Sequence, residues 1–141
     1  MKRLRITVEG KTYEVTVELP NETASVASAG FKRSVGGAEI EIIFVPDEKK
    51  YTENFINNHS LVTRVTANGK TLLFTGDLGR EAGRELTSLA GSGLKTDYIQ
   101  MAHHGQQGVD FDFYRTAAPE ACLWDTPRWL WVNDAGKGPG T

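Results

Sequence analysis

The sequence has few of the residues that usually build metal centres and disulfides. It holds a single cysteine, Cys122, which excludes an internal disulfide and any zinc site made only of cysteines. The apolar neighbours of Cys122 predict a buried structural thiol. The chain also has only three histidines, His59, His103 and His104. A metal site built on imidazole would therefore have few nitrogen ligands to draw on.

Long apolar runs and clusters of one charge are also absent from the sequence. No stretch approaches the roughly 18 apolar residues of a membrane span, and the opening MKRLRITVEG lacks the apolar core of a signal peptide. Sixteen basic residues stand against 18 acidic ones, without a basic run or stripe. We therefore expect a soluble, cytoplasmic protein, and nothing in the sequence indicates nucleic-acid binding.

The N-terminal part of the chain predicts a β-hairpin followed by a linker. At 141 residues the chain is about one domain long. Apolar residues alternate at 4–8 and 13–19 around a glycine turn, so we expect a hairpin within residues 1–19. Residues 20–36 are small and polar, which predicts a linker or loop, and residues 37–141 would form the main part of the fold.

From residue 37 onward, strand and helix patterns alternate. Helices are predicted at 80–90, where Leu86 and Leu89 would share an apolar side, and at 110–117. Strands are predicted at 39–45, 60–66, 71–75, 97–102 and 121–124, with the first of them largely buried. Asn68-Gly69 is a strong turn signal for a second hairpin, and residues 47–59 are predicted to be loop. The resulting order predicts an α/β fold with a mixed sheet.

Polar residues with metal-binding chemistry follow two of these predicted strands. Asp77 comes directly after LLFTG, and His103 and His104 come directly after YIQMA. If these strands are parallel neighbours, both loops leave the sheet at the same edge. Carboxylate oxygen and imidazole nitrogen suit zinc, manganese or iron. Two simpler interpretations stay open: Asp77 could cap the next helix, and the histidines could form a surface turn.

The segments that carry these residues resemble a known family. NNHSLVTRV, GKTLLFTGDL and LKTDYIQMAHHGQQGVDFDFYRTAAPEACLW together resemble the C-terminal half of a metallo-β-lactamase-fold hydrolase, of the ComEC-type branch that is named for DNA-uptake proteins. The resemblance covers about residues 36–134, roughly 70 per cent of the chain. It implies a partial metallo-β-lactamase-like lobe, with a mixed sheet and helices on one face.

The resemblance also implies roles for individual residues. Asp77 would be the carboxylate that bridges two metal ions, and one of His103 and His104 would be a metal ligand. His104, if it is not a ligand, could orient the leaving group or stabilise negative charge, which makes it a catalytic candidate beside Asp77. Zinc is the first expectation for the metal, with manganese or iron as alternatives.

Three further residues are expected near the site. The resemblance implies that Asn58, Ser60 and Gln106 contact the substrate or support the ligands. For Asn58 and Ser60 a loop-capping role fits equally well. His59 is a minor candidate for a metal contact. The aromatic residues Trp124, Trp129 and Trp131 could cover a sheet end, wall a substrate pocket or form exposed apolar surface.

The chain departs from the family at one decisive point, because it lacks the early HxHxDH stretch. A binuclear centre needs roughly three to four protein ligands per ion. Asp77, two adjacent histidines and Asp47 or Asp125 do not supply them, so we expect weak or absent metal binding. The resemblance therefore implies a hydrolase of ester or phosphodiester bonds that is an incomplete or inactive fragment, with a partner chain or missing N-terminal lobe completing the fold. The alternative is a non-catalytic binding or assembly module.

Overall fold

The chain is described here from a computed structural model, which covers residues 2–8, 11–17, 31–47 and 50–133. The strands of this part are β1 Lys2–Val8, β2 Lys11–Val17, β3 Phe31–Val35, β4 Ala38–Phe44, β5 Val62–Ala67, β6 Lys70–Phe74, β7 Tyr98–Gln100 and β8 Ala121–Leu123. Its helices are α1 Phe55–Asn58, α2 Arg80–Ala90, α3 Phe111–Ala117 and α4 Arg128–Trp131.

The strands form two sheets. β1 and β2 pair as an antiparallel hairpin, as the sequence predicts for the N-terminal segment. The other six strands form one sheet in the order β3-β4-β5-β6-β7-β8. Pairing is antiparallel from β3 to β6 and parallel from β6 to β8. The expectation of an α/β fold with a mixed sheet is therefore confirmed.

The turn between β5 and β6 shows why this register is fixed. Asn68 and Gly69 have φ values of 51° and 74°. Two consecutive positive φ values are typical of the two-residue hairpin turn whose twist matches that of the strands. Pairing then runs from Ala67 and Lys70 to Thr63 and Phe74.

Several sequence-based expectations need correction. Residues 31–35 are not loop, because they form β3 and pair with β4. Charged residues are common on such edge strands, and here they obscure the alternation of apolar and polar residues in the sequence. The rest of the predicted linker up to residue 30 lies outside the described residues. Asn58 and three preceding residues form the short helix α1 within the predicted loop at 47–59. Cys122 is exposed, not buried, because it lies on a short strand at the sheet edge.

The core lies between one face of the six-stranded sheet and the helices. Val62, Leu73 and Ile99 point from the central strands into this layer and are fully buried. Phe113 of α3 and Leu86 of α2 pack there too, each buried large side chain contributing about 1.5–3 kcal/mol. The inner side of α2 is formed by Ala82, Gly83 and Leu86. Leu89, expected on that side, is 44% exposed.

The opposite face of the same sheet is only partly covered. Cross-strand partners lie on the same face, and alternate residues of a strand lie on opposite faces. The pairings therefore assign one set of apolar residues to the face away from the core, which we call the open face: Phe31, Val35, Ile40, Ile42, Val65, Leu72, Phe74, Tyr98 and Leu123. Five of these residues are partly buried: Ile40, Ile42, Val65, Leu72 and Tyr98. The other four, Phe31, Val35, Phe74 and Leu123, are exposed.

Helices in the described part of the chain are all too short or too polar to cross a membrane.

Candidate functional site

Three turns meet at the carboxyl ends of the parallel strands. Asp77 follows β6, the turn Ala102–Gly105 follows β7, and Asp125 follows β8. Parallel neighbouring strands end at the same edge of a sheet, which is where α/β proteins gather their polar groups. The expectation that the Asp77 turn and the histidine turn leave the sheet together therefore holds in the structure.

His104 lies between two carboxylates. Its Nε2 atom is 3.7 Å from Oδ1 of Asp77, and its Nδ1 atom is 3.7 Å from Oδ2 of Asp125. Nδ1 also lies 3.2 Å from the backbone carbonyl oxygen of Asp125. All three side chains are substantially open to solvent, between 39% and 52% exposed. The arrangement is thus a shallow acidic site at the surface, with an imidazole at its centre.

The carbonyl contact favours one tautomer of His104. A carbonyl oxygen only accepts a hydrogen bond, so Nδ1 must carry the proton that it donates to Asp125. Neutral His104 then presents the lone pair of Nε2 towards Asp77. Metal-binding histidines commonly use this arrangement, in which a backbone carbonyl fixes the ring through the nitrogen that does not bind the metal.

His103 faces elsewhere. Its Nε2 atom is 3.2 Å from the amide nitrogen of Asn57, at α1. The Asn57 amide can donate to an unprotonated Nε2, which leaves the proton on Nδ1. Nδ1 of His103 is buried and has no hydrogen-bond partner among the described residues. The two rings are 6.3 Å apart at their centroids, so the adjacent histidines serve different neighbours.

The backbone of the histidine turn is unusual. His103 and His104 have φ values of 52° and 58°, and Gly105 follows with 80°. Residues other than glycine rarely have backbone angles in the left-handed region, and residues with such angles cluster at functional sites. Trp124 packs against this turn so closely that a Cβ on Gly105 would lie 1.8 Å from the indole nitrogen. The glycine is therefore required both by its conformation and by its neighbour.

Gln100 joins the turns, although sequence analysis did not identify it. Its side-chain oxygen accepts hydrogen bonds from the backbone nitrogens of Thr75 and Gly76, at 3.0 and 2.9 Å. Its amide nitrogen donates to the carbonyl oxygen of Met101 at 2.6 Å. The backbone nitrogen of His103 donates to the Gly76 carbonyl at 3.0 Å. A polar residue at the end of an otherwise apolar strand was the available signal.

Of the two residues that the resemblance places near the site, Ser60 contacts the Asp77 turn directly, whereas Asn58 contacts the start of α2. The Ser60 hydroxyl accepts a hydrogen bond from the backbone nitrogen of Asp77 at 3.0 Å. The Asn58 side chain is 1% exposed, and its oxygen accepts from the backbone nitrogen of Ala82 at the start of α2. Its amide nitrogen donates to Glu81. Asn58 therefore holds the start of helix α2, which differs from the predicted capping of the loop before β5.

The remaining candidates lie in different settings. His59 contacts the Phe55 carbonyl through Nδ1 and packs against the rings of Tyr51 and Phe55. The backbone nitrogen of Gln106 closes the histidine turn by donating to the His103 carbonyl. Asp47 is exposed after β4. Trp124 and the other two tryptophans are each about half exposed, and Trp124 meets Trp131 edge to face at 5.7 Å.

The donor set fits part of one coordination sphere. Two ligands about 2.1 Å from a tetrahedral ion lie about 3.4 Å apart, close to the 3.7 Å between His104 Nε2 and Asp77 Oδ1. Across residues 31–47 and 50–133 no group of three or more His, Cys, Asp or Glu is arranged to hold an ion. Neither of two surface clefts, of about 330 and 130 Å³, is lined by Asp77 or His104.

A comparison with models of protein families finds none that matches this chain, and a comparison with curated proteins finds no similar sequence.

Proposed function

We propose that this chain carries one wall of the metal site of a metallo-β-lactamase-type hydrolase and has little or no hydrolytic activity by itself. The observation that carries the proposal is the approach of Asp77 to His104 at the ends of β6 and β7. A short acid-to-imidazole distance at a parallel-strand edge is what the LLFTGD and HHG segments of that family would require.

Each residue of the proposed site would have a separate role. Asp77 and Nε2 of His104 would supply metal ligands, while Asp125 keeps the His104 ring in the tautomer that leaves Nε2 free. A divalent ion, when bound, would polarise an ester or phosphodiester group and lower the pKa of a coordinated water. Ser60 and Gln100 would hold the two ligand-bearing turns in place through their backbone hydrogen bonds.

The number of donors supports the second part of the proposal. Two ligands are fewer than the three that a catalytic zinc site uses, and far fewer than a binuclear site uses. His103 is turned towards Asn57 and does not complete the set. A missing N-terminal lobe or partner chain would have to bring the other ligands. The isolated chain would therefore bind metal weakly, and zinc is the first expectation for the metal, before manganese or iron.

Elemental analysis and a hydrolysis assay test this proposal together. Purified wild type, dialysed to equilibrium against a fixed zinc concentration, is compared with the double variant His103→Asn/His104→Asn; asparagine tolerates the left-handed turn and so keeps the backbone. We expect wild type to retain more zinc than the variant and to hydrolyse a generic phosphodiester at the background rate. Equal zinc contents would refute the site. Turnover abolished by Asp77→Ala would refute the inactivity.

A second candidate is a non-catalytic binding or assembly module. The exposed apolar residues of the open face and the half-exposed tryptophans favour it, because contiguous apolar surface marks interaction sites. Light scattering after size exclusion separates the two ideas. An assembly module of identical chains would elute as an oligomer, whereas a strictly monomeric, well-folded species counts against it.

A further inference from the structure

The open face of the six-stranded sheet still exposes large apolar side chains. Phe31, Val35, Phe74 and Leu123 are between 41% and 56% exposed. Of the residues that the pairings assign to this face, only Arg33 and Lys70 are charged, and Lys70 is bound to Asp97 and Glu120. A sheet normally buries such a face against a second layer about 10 Å away.

The hairpin β1–β2 has the complementary pattern. Its register pairs Leu4 with Val15 and Ile6 with Tyr13. Alternate positions therefore assign six apolar residues to one side of the hairpin, together with Lys2 and Lys11 at the strand ends, and arginine, threonine and glutamate residues to the other. The apolar positions are Leu4, Ile6, Val8, Tyr13, Val15 and Val17. A two-stranded hairpin is only marginally stable in water unless one face packs on something else.

We propose that the N-terminal hairpin, β1–β2, is the second layer that covers the open face next to β3 and β4. The chain supplies both partners, and each has an apolar side that needs burial. This inference does not depend on the metal site, since neither Asp77 nor His104 takes part in it.

The connection between the two partners has sufficient length. Residues 18–30 join Val17, the last residue of β2, to Phe31, the first residue of β3. Thirteen residues can span at most about 45 Å. A layer about 10 Å above the sheet, within one or two strand spacings of β3, is well inside that limit. Covalent linkage also raises the effective concentration of the hairpin above that of any second chain.

The geometry limits which part of the open face the hairpin covers. Two strands are about 5 Å apart, so a two-stranded layer covers two or three strands of the sheet beneath it. Phe31 and Ile42, which are register partners on β3 and β4, lie within that width. Leu123 on β8 lies five strand spacings from β3, about 24 Å away, and stays outside it.

Hydroxyl-radical footprinting of the full chain tests the proposal at single side chains. Wild type is compared with Ile6→Asp, on the apolar side of the hairpin, and with Thr7→Asp, its matched control on the other side. In wild type we expect slow oxidation at Phe31 and Ile42. Ile6→Asp should raise the rate at Phe31 roughly threefold or more, because an open face exposes 48% of this side chain and a covered one about a tenth or less.

Thr7→Asp should leave that rate unchanged, and Leu123 should react equally in all three proteins. Circular dichroism checks that the helices persist; if Ile6→Asp loses them, Val15→Asp is measured in its place. Equal oxidation of Phe31 in wild type and in the apolar-side variant would overturn the proposal. So would a wild-type dimer whose Phe31 protection disappears on dilution, because a second copy would then cover the face.

Discussion

Gly105 is the residue whose replacement the structure constrains most tightly. Its φ of 80° disfavours any side chain, and a Cβ would lie 1.8 Å from the indole nitrogen of Trp124. We expect Gly105→Ala to lower the free energy of unfolding by about 2 kcal/mol or more, since it combines backbone strain with a clash. Urea denaturation followed by circular dichroism measures the change.

Gly93 provides the matched control for this substitution. A Cβ there meets no atom within 4 Å, and its φ is not in the left-handed region. Gly93→Ala should therefore be neutral or slightly stabilising. If the two alanine variants unfold at the same urea concentration, the packing of Trp124 over the histidine turn is not as described.

Much at the residue scale could not be read from the sequence. Asp77, His103 and His104 were identified because strand ends at a parallel edge carry polar residues. The distinction between the two histidines depends on Asp125 and Asn57, which lie 21 and 46 positions away in the chain. Asp125 is brought to His104 by the pairing of β7 with β8, and Asn57 reaches His103 from helix α1, before β5. A single sequence does not encode these contacts explicitly.

At the scale of elements, helix α2 depends on a residue from outside the helix. The residue before it, Gly79, has no side chain with which to cap it, and the side-chain oxygen of Asn58 accepts the hydrogen bond from the backbone nitrogen of Ala82 instead. Asn58→Ala should lower the free energy of unfolding by about 2 kcal/mol or more, because a cap is lost and the backbone carbonyl of Glu53 and the carboxylate of Glu81 lose a donor.

The neighbouring asparagine makes a useful comparison in the same denaturation experiment. Asn57 contacts His103 and is less buried than Asn58. Asn57→Ala should cost much less stability than Asn58→Ala. Equal losses for the two variants would show that the buried position of Asn58 is not what anchors α2.

The junction of β6 and β7 gives the fold a dependence on acid. Lys70 donates a hydrogen bond to Asp97, and the backbone and hydroxyl of Thr71 donate two more. These bonds lower the pKa of Asp97 from its ordinary 3.8 to about 2. A lowered folded-state pKa stabilises the fold fully above 3.8, and this contribution is lost as the pH falls through about 2.

The pH dependence of unfolding tests that junction. Between about pH 4 and pH 2 the urea midpoint of wild type should fall, and part of this fall should be missing in Asp97→Asn, which cannot titrate. Parallel curves for the two proteins over this interval would mean that Asp97 is not held as the structure shows. The exposed pair Arg115 and Asp112 offers a control, because Asp112→Asn should leave the fall intact.

Local sequence patterns predict the helices and strands better than they predict strand pairing and burial. The hairpin at Asn68-Gly69 and helix α2 follow from turn chemistry and apolar spacing, which act within a few residues. Strand β3 was missed because Lys32 and Arg33 make it polar, and its only strand partner in the described sheet is β4. The exposure of Cys122 was also missed, since burial depends on where a strand lies in the sheet.

The whole molecule has one packed face and one incomplete one. Helices cover the side of the sheet that carries Leu73 and Ile99, whereas the described residues on the open face and Trp124 include large apolar side chains that are about half exposed. The proposed metal site lies at the strand ends, where Asp77 and His104 approach each other and would supply two ligands. The first observation fits the proposed covering of the open face by the N-terminal hairpin, and the second fits the proposal that the isolated chain binds metal weakly.

Zinc titration of single variants tests the central claim, that the turn of Asp77 and the turn of His104 form one metal-binding wall. Isothermal titration calorimetry would compare wild type with Asp77→Asn, His104→Asn and His103→Asn under identical conditions. The first two variants should bind zinc about tenfold more weakly or not at all, while His103→Asn should resemble wild type. Loss of binding in His103→Asn with retention in His104→Asn, or equal binding by all four proteins, would contradict the account.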